Sequence, residues 1–219
     1  RTFIADAAHE LRTPLAAMRV NVEALQSDVS NVRQQELLAG IIRSNSRAAR
    51  LVNQLLLLMH SEARIDTVME PVALTTLIQE RMAELAPLAA ESRVELEFYS
   101  HDEVWMTGVR ERLMSLIDNV IENAVKYSPE GGRVEVEVRS LEKSIQLRIS
   151  DAGPGILVEL RERVFDRFFR DPNQIQSGSG LGLAIVKAVA QQHHSSVLLS
   201  TSAEGGLMVI IDIPNNHSV

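Results

Sequence analysis

"GSGLGLAIVK", residues 178–187, is the stretch on which the fold turns: Gly178, Gly180 and Gly182 alternate with Ser179 and Leu181 and open a helix read as "LGLAIVKAVAQQH", residues 181–193. Free amides at a helix N-terminus, with glycine allowing close approach, form an anion site. Two familiar nucleotide loops fail on spacing. A dinucleotide-binding fingerprint needs glycine at position 183, where Leu183 stands, and a Walker loop needs Gly-Lys-Ser/Thr after four spacers, which the chain lacks.

Upstream, "DNVIENAVKYS" (residues 118–128) sets Asn119 and Asn123 one helical turn apart on a shared face, followed by Lys126 and Tyr127. Amide oxygens can hold a hard cation such as Mg²⁺ without adding charge, and a nearby lysine can meet phosphate. Alone, this cluster more often reads as the polar face of an exposed helix. "DAGPGI" (residues 151–156) follows a strand pattern: Gly153 and Gly155 permit close approach, and Asp151 ends the strand with a carboxylate that would accept from adenine's amino group. A tight surface turn is the plain alternative. "RVFDRFFR" (residues 163–170) crowds Phe165, Phe168 and Phe169 into a chain with five phenylalanines, flanked by Arg167 and Arg170. It reads at even odds as the anchor of a lid over a ligand or as a satellite core with solvated charges.

Composition narrows the partners. The 219 residues are 45% hydrophobic, enough for a real core and one or two domains. A net charge of -7 disfavours nucleic acid as the main partner, so a polyphosphate must arrive with a metal. There is no cysteine, which excludes disulfides and thiolate chemistry and fits a reducing compartment. The longest apolar run, "LLLLM" at residues 55–59, falls far below the roughly 20 residues of a membrane span. The first residues, "RTFIADAA", are already in helical pattern with no initiator methionine, so the chain is expected to be cut from something longer.

Residues 2–60 read as two helices, with apolar stripes through Phe3, Ala7, Leu11, Leu15, Met18, Val22 and Leu25, then Leu38, Ile41, Ala48, Val52, Leu55 and Met59, separated by "QSDVSN". A two-helix hairpin leaves apolar surface uncovered, so pairing with a second copy into a four-helix bundle is expected. His9 lies about 200° around the helix from Ala7 and Leu11 and should face water. Pro14 should bend or loosen the helix nearby. The polar "HSEARIDTVMEP" ends at Pro71, giving domains at 1–64 and 65–219. Beyond it, "VALTTLIQERMAEL" and "RERLMSLIDNVIENAVKY" read as helices, "RVELEF", "RVEVEV", "SIQLRI", "SVLLST" and "LMVIIDI" as strands, and "RSLEK" as a hairpin turn. The predicted fold is an all-α antiparallel hairpin followed by a two-layer α/β sandwich of mostly antiparallel strands.

Each box is weak, but the ordered set beside "FIADAAHELRTPL" (residues 3–15) is specific. The sequence resembles the sensor histidine kinases of bacterial two-component signalling over nearly its whole length, and within them most resembles the QseC and PmrB group. Residues 1–64 are similar to the dimerisation and histidine phosphotransfer domain, and the remainder to the ATP-binding domain of the gyrase, chaperone, kinase and MutL superfamily (the Bergerat fold). The resemblance implies that His9 accepts the γ-phosphoryl of ATP and passes it to an aspartate of a response regulator. Glu10 would take the imidazole proton, Arg12 would steady phosphate charge, and Thr13 would place a water when the regulator is dephosphorylated. It further implies that Asn123 ligates Mg²⁺ with Asn119 in support. Lys126 and Tyr127 border the nucleotide, Asp151 reads adenine, and Gly153, Gly155 and Ile156 form its turn. Gly178, Ser179, Gly180, Leu181, Gly182 and Leu183 lie along the phosphates. Phe168 and Arg170 stand beside a lid spanning residues 169–178, with Gly205 and Gly206 near the base. Homodimerisation, no nucleic acid, and a cytoplasmic setting tethered to an inner membrane through an absent upstream segment are implied with it.

One departure concerns "TGVRERL" (residues 107–113), where Val109 stands in place of a helix-capping residue and the cap is expected to move to Thr107. His60, His101, His193, His194 and His217 match no motif position and are expected at the surface. A nucleotide-binding scaffold or phosphatase with little autokinase activity is the alternative, and an ATPase acting on DNA or protein clients a third reading, disfavoured by "HELRTP" and the acidic balance.

Overall fold

The computed structural model describes residues 2–25, 31–62, 68–171, 176 and 178–214, with the side chains of residues 2–10, 47 and 60–62 excepted. "QSDVSN" up to residue 30, the linker at 63–67 and His217 lie outside them, as do the side chains of His9, Glu10 and His60. The chain divides into two units, Arg1–Glu62 and Ala63–Val219.

The first unit is a pair of helices, α1 (Thr2–Leu25) and α2 (Asn31–Glu62). Leu37, Leu51, Leu55 and Leu58 form its core, at the i, i+4, i+7 spacing that gathers side chains on one helix face. α1 runs through Pro14, which is buried, rather than ending there. The helices approach closely at Gly40, where a Cβ would stand 2.8 Å from Asn21 Nδ2. Much of the predicted stripe is not in this core: Leu15, Val22, Leu38, Val52 and Met59 are exposed in the single chain.

In the second unit, strands β2 (Glu95–Ser100), β4 (Arg133–Ser140), β5 (Ser144–Asp151), β6 (Ser196–Thr201) and β7 (Leu207–Pro214) form one sheet in the order β2-β4-β5-β7-β6. β2 and β4 pair in parallel, so the sheet is mixed; the other pairs are antiparallel, with Val136 opposite Ile149 and Leu147 opposite Ile211. Alternation turns Val134, Val136, Val138, Ile145, Leu147 and Ile149 to one face, beneath α3 (Leu74–Ser92), α4 (Arg110–Tyr127) and α5 (Gly182–Gln192). The opposite face carries charged and polar pairs, with Arg148 beside Glu137 and Gln146 donating to Asp212 at 2.7 Å, interspersed with Leu198, Met208 and Ile210. Arg81 on α3 grips both carboxylate oxygens of Asp118 on α4, at 2.7 and 3.0 Å.

A second, two-stranded sheet, β1 (Glu70–Ala73) with β3 (Trp105–Gly108), was not anticipated, so the predicted helix starting at Val72 begins at Leu74. These strands have four residues each, too few to show a period against their polar flanks.

Candidate functional site

Strand alternation carries Asp151 to the core side in register with Ile145, Leu147 and Ile149, which buries its carboxyl at the strand end. Oδ1 accepts the backbone N–H of Gly153 at 2.8 Å and of Leu207 at 3.0 Å; among the described residues Oδ2 has no partner. Burial pushes this carboxyl above its ordinary range, and the two backbone N–H groups partly offset that. The glycine turn packs against the C-terminus of α4, where a Cβ on Gly153 would be 2.7 Å from the Tyr127 carbonyl oxygen. Gly205 and Gly206 close the other side: a Cβ on Gly206 would lie 2.6 Å from Asp151 Oδ1. Ser202, which the sequence reading missed, donates to the Asp151 carbonyl at 2.7 Å and accepts from Gly206 N–H at 2.9 Å. Its only signal in the sequence is its place four residues before Gly206.

α4 is amphipathic, burying Leu113, Leu116, Ile117, Val120, Ile121, Ala124 and Val125 and leaving Asn119 and Asn123 along its flank. Gly182 opens α5 against this flank: a Cβ there would stand 3.1 Å from Asn123 Nδ2 and 3.2 Å from Asn119 Oδ1. Asn119 donates to the Ser115 carbonyl at 2.7 Å, whereas the carboxamide of Asn123 makes no hydrogen bond among the described residues. Gly178 meets the end of Lys126, with a Cβ placed 2.8 Å from Nζ, and Nζ lies 3.3 Å from the Tyr127 hydroxyl. Burial raises the Tyr127 phenol, and the positive charge of Arg170 opposes this, placing Arg170 within electrostatic reach of the same corner.

Gly180 has φ +69, and a Cβ would meet the Phe168 carbonyl carbon at 2.6 Å, so only glycine fits. Phe168 itself sits at φ +62 and donates its N–H to the Gly180 carbonyl at 2.9 Å, which ties the aromatic segment to the glycine loop. Arg163 stacks over Phe169 and Lys187 over Phe165. Arg170 donates to the Gln176 carbonyl at 2.7 Å. Leu181 is sealed in the core, leaving only its backbone to the site, whereas Leu183 and Ile156 are half-buried. Arg161 holds the segment after Ile156, donating to the carbonyls of Ile156 and Leu199, both at 3.2 Å, and to Thr201 Oγ1 at 2.9 Å. Of the predicted lid, residues 172–175 and 177 lie outside the described residues.

The donor set fits a hard cation: Asn123 offers a neutral oxygen, and among the described residues no cluster of three or more His, Cys, Asp or Glu gathers to hold a metal by itself. In the first unit Arg12 and Thr13 are exposed on α1.

Residues 108–217 match the family described as histidine kinase-, DNA gyrase B-, and HSP90-like ATPase. The chain belongs to that family. Residues 1–64 match the His Kinase A (phospho-acceptor) domain. Within this family the chain is 37% identical to the sensor protein kinase PmrB of Pseudomonas aeruginosa, across 99% of this chain and 46% of that protein. It is 35% identical to the sensor protein QseC of Salmonella typhi, across 96% of this chain and 47% of that protein. The chain thus spans about half the length of these relatives. Among solved structures, the mycobacterial sensor histidine kinase MprB superposes with a TM-score of 0.61 at 34% identity, covering 67% of this chain and 97% of that one. No helix of the described residues is long and apolar enough to cross a membrane.

Two expectations are corrected. The helix-start role expected of Thr107 is not there: Thr107 lies in β3, and Val109 caps α4 with no side-chain bond from its neighbours. His193 is not a surface residue but 6% exposed, whereas His101 and His194 are exposed as expected.

Proposed function

We propose that the chain is the catalytic core of a sensor histidine kinase, binding Mg-ATP in its second unit and phosphorylating His9 in its first. One observation carries the reading: four sequence-distant clusters meet, with Gly182 on the asparagine pair, Gly178 on Lys126, Gly153 on Tyr127, and Gly206 on Asp151. Asp151 would accept the adenine amino group at Oδ2, since Oδ1 is occupied by two backbone donors. Lys126, the α5 N-terminus and the glycine loop would hold the phosphates. Asn123, supported by Asn119, would hold Mg²⁺, which would supply neutralisation of the phosphate charge when bound.

A neutral nitrogen of His9 attacks the γ-phosphorus; the P–N bond forms as the β–γ bridging P–O bond breaks, ADP leaves, and Glu10 takes the imidazole proton. The phosphoryl group then passes to an aspartate carboxylate of a response regulator, and Thr13 would place a water for its later hydrolysis. The exposed stripe through Leu15, Val22, Leu38 and Val52 supports a homodimer in which a second copy completes the bundle. Sensing and membrane attachment belong to segments outside this chain, which leaves these units on the cytoplasmic side. Incubation with γ-labelled ATP and Mg²⁺ should give acid-labile, base-stable label that disappears in His9→Ala. Label that survives this change overturns the assignment.

A further inference from the structure

His193 closes α5 at the end remote from the glycine loop, and it is the one histidine among the described residues that is buried. Its ring spans two helices. Nε2 accepts the backbone N–H of Val109 at 3.1 Å, and Nδ1 lies 2.8 Å from the Val189 carbonyl. An amide can only donate and a carbonyl can only accept, so these two partners fix one neutral tautomer, with the proton on Nδ1.

Val109 is the N-cap of α4. In a capping box the N-cap N–H is taken by a Glu or Gln three residues on, reaching back along the helix. That position is Arg112, which has no acceptor and instead donates to Gln192, the neighbour of His193. The missing half of the cap therefore comes from His193, 84 residues away. Gly108 makes room for it: a Cβ there would sit 3.0 Å from both Nε2 and Cδ2 of the ring. This accounts for a glycine followed by a non-capping valine at the start of α4.

α4 and α5 are also the two helices that build the nucleotide site, and they run antiparallel. At one end Gly182 abuts Asn119 and Asn123; at the other, some 10 to 14 residues along α4 and so roughly 15 to 21 Å away, His193 pins Val109. We propose that His193 is a positioning residue for the nucleotide site, its neutral ring capping α4 from α5 and thereby setting the asparagine pair against the glycine loop. The proposal rests on the nucleotide-site reading above.

The groups facing the ring reinforce its neutral state. Burial, the largest cause, lowers the imidazole below its ordinary value of 6.5; the Nδ1 bond to the Val189 carbonyl opposes this, and the nearby Arg112 from α4 and His194 at the end of α5 lower it further. A protonated Nε2 would point a second donor at Val109 N–H, so the tie is present at neutral pH and lost as pH falls through that lowered value.

The test is titration of the whole chain with the β,γ-imido analogue of ATP and Mg²⁺, below the melting temperature. His193→Phe, which fills the space without an acceptor, should weaken affinity about tenfold. His193→Gln, whose Oε1 can stand where Nε2 does, should stay within about threefold. In autophosphorylation the Phe variant should raise KM for ATP and leave the rate at saturating ATP within about twofold. Should the Phe variant fail to fold, the Gln variant decides: as pH falls from about 7.5 through the lowered imidazole value, located by NMR titration of the His193 ring, the wild-type chain should lose affinity that the Gln variant retains. Wild-type affinity in a folded Phe variant, or parallel pH profiles for wild type and Gln, overturns the proposal. Asn123→Ala runs beside it. If that change leaves binding intact, the site reading itself has failed and the proposal falls with it; if it abolishes binding while His193→Phe does not, only the positioning role is lost.

Discussion

The two units of this chain treat apolar sequence in opposite ways. In the second, Ile78, Ile121, Ile185 and Ile211 are fully enclosed by one sheet face and three helices, while in the first, Leu15, Leu38, Val52 and Met59 stay open to water although they follow as clean a helical period. A two-helix hairpin has one seam, and each helix has enough apolar width for two. On the homodimer proposed above, the hairpin is half of a core, whereas the sandwich is a whole one.

Placing a charge on the open seam should break that comparison most strongly. Val52→Glu is expected to weaken self-association about 100-fold, as read by sedimentation, because a buried unpaired carboxylate is costly. Leu198→Glu, at an even more exposed apolar residue on the edge strand β6, should leave assembly unchanged and alter stability by no more than about 0.5 kcal/mol. If both variants stay dimeric, the seam is not an interface.

Within the second unit the contrast is between glycines. Gly180→Ala adds a Cβ 2.6 Å from the Phe168 backbone at φ +69 and should cost about 3 kcal/mol in urea unfolding, along with nucleotide binding. Gly131→Ala, at φ +80 but with nothing within 4 Å, should cost only about 1 kcal/mol, the torsional part alone.

The smallest expected effect separates stability from function at one carboxyl. Since burial holds the Asp151 carboxyl above its ordinary value of 3.8, its contribution to folding is complete below that value and is lost as pH rises through the raised one. Asp151→Asn keeps an acceptor for Gly153 and Leu207 but removes the buried charge, so the ligand-free chain should melt no lower than wild type at pH 8. The gap should close toward pH 4 in thermal scans, while ATP affinity is lost because an amide donor faces the adenine amine. A variant that melts well below wild type at pH 8 would show that the charge is not the strained element.

Much of the second unit was legible. The span of α4, the β4–β5 hairpin and the position of Asp151 at a strand end all follow from periodicity, because each element is long enough to complete several repeats. β1 and β3 were not legible, since four residues cannot display a period, and the parallel pairing of β2 with β4 joins strands separated by a helix and a second strand. In the candidate site, the asparagines and glycines announced themselves by spacing. Ser202, Arg161 and His193 did not, because each acts on backbone groups far away in sequence.

Sequence alone determined which residues are chemically able to meet a phosphate, a cation and an amino group, and which helix faces must find cover, since spacing and residue type are local properties. Only the tertiary structure decided that Gly182 meets Asn119 and Asn123, that one oxygen of Asp151 is taken by backbone while the other is left, and that a helix start is capped by a ring from another helix. Those outcomes depend on long-range closure, where hydrogen bonds go to whichever partner the packed layers bring within 3 Å or so, a distance no spacing rule along the chain encodes.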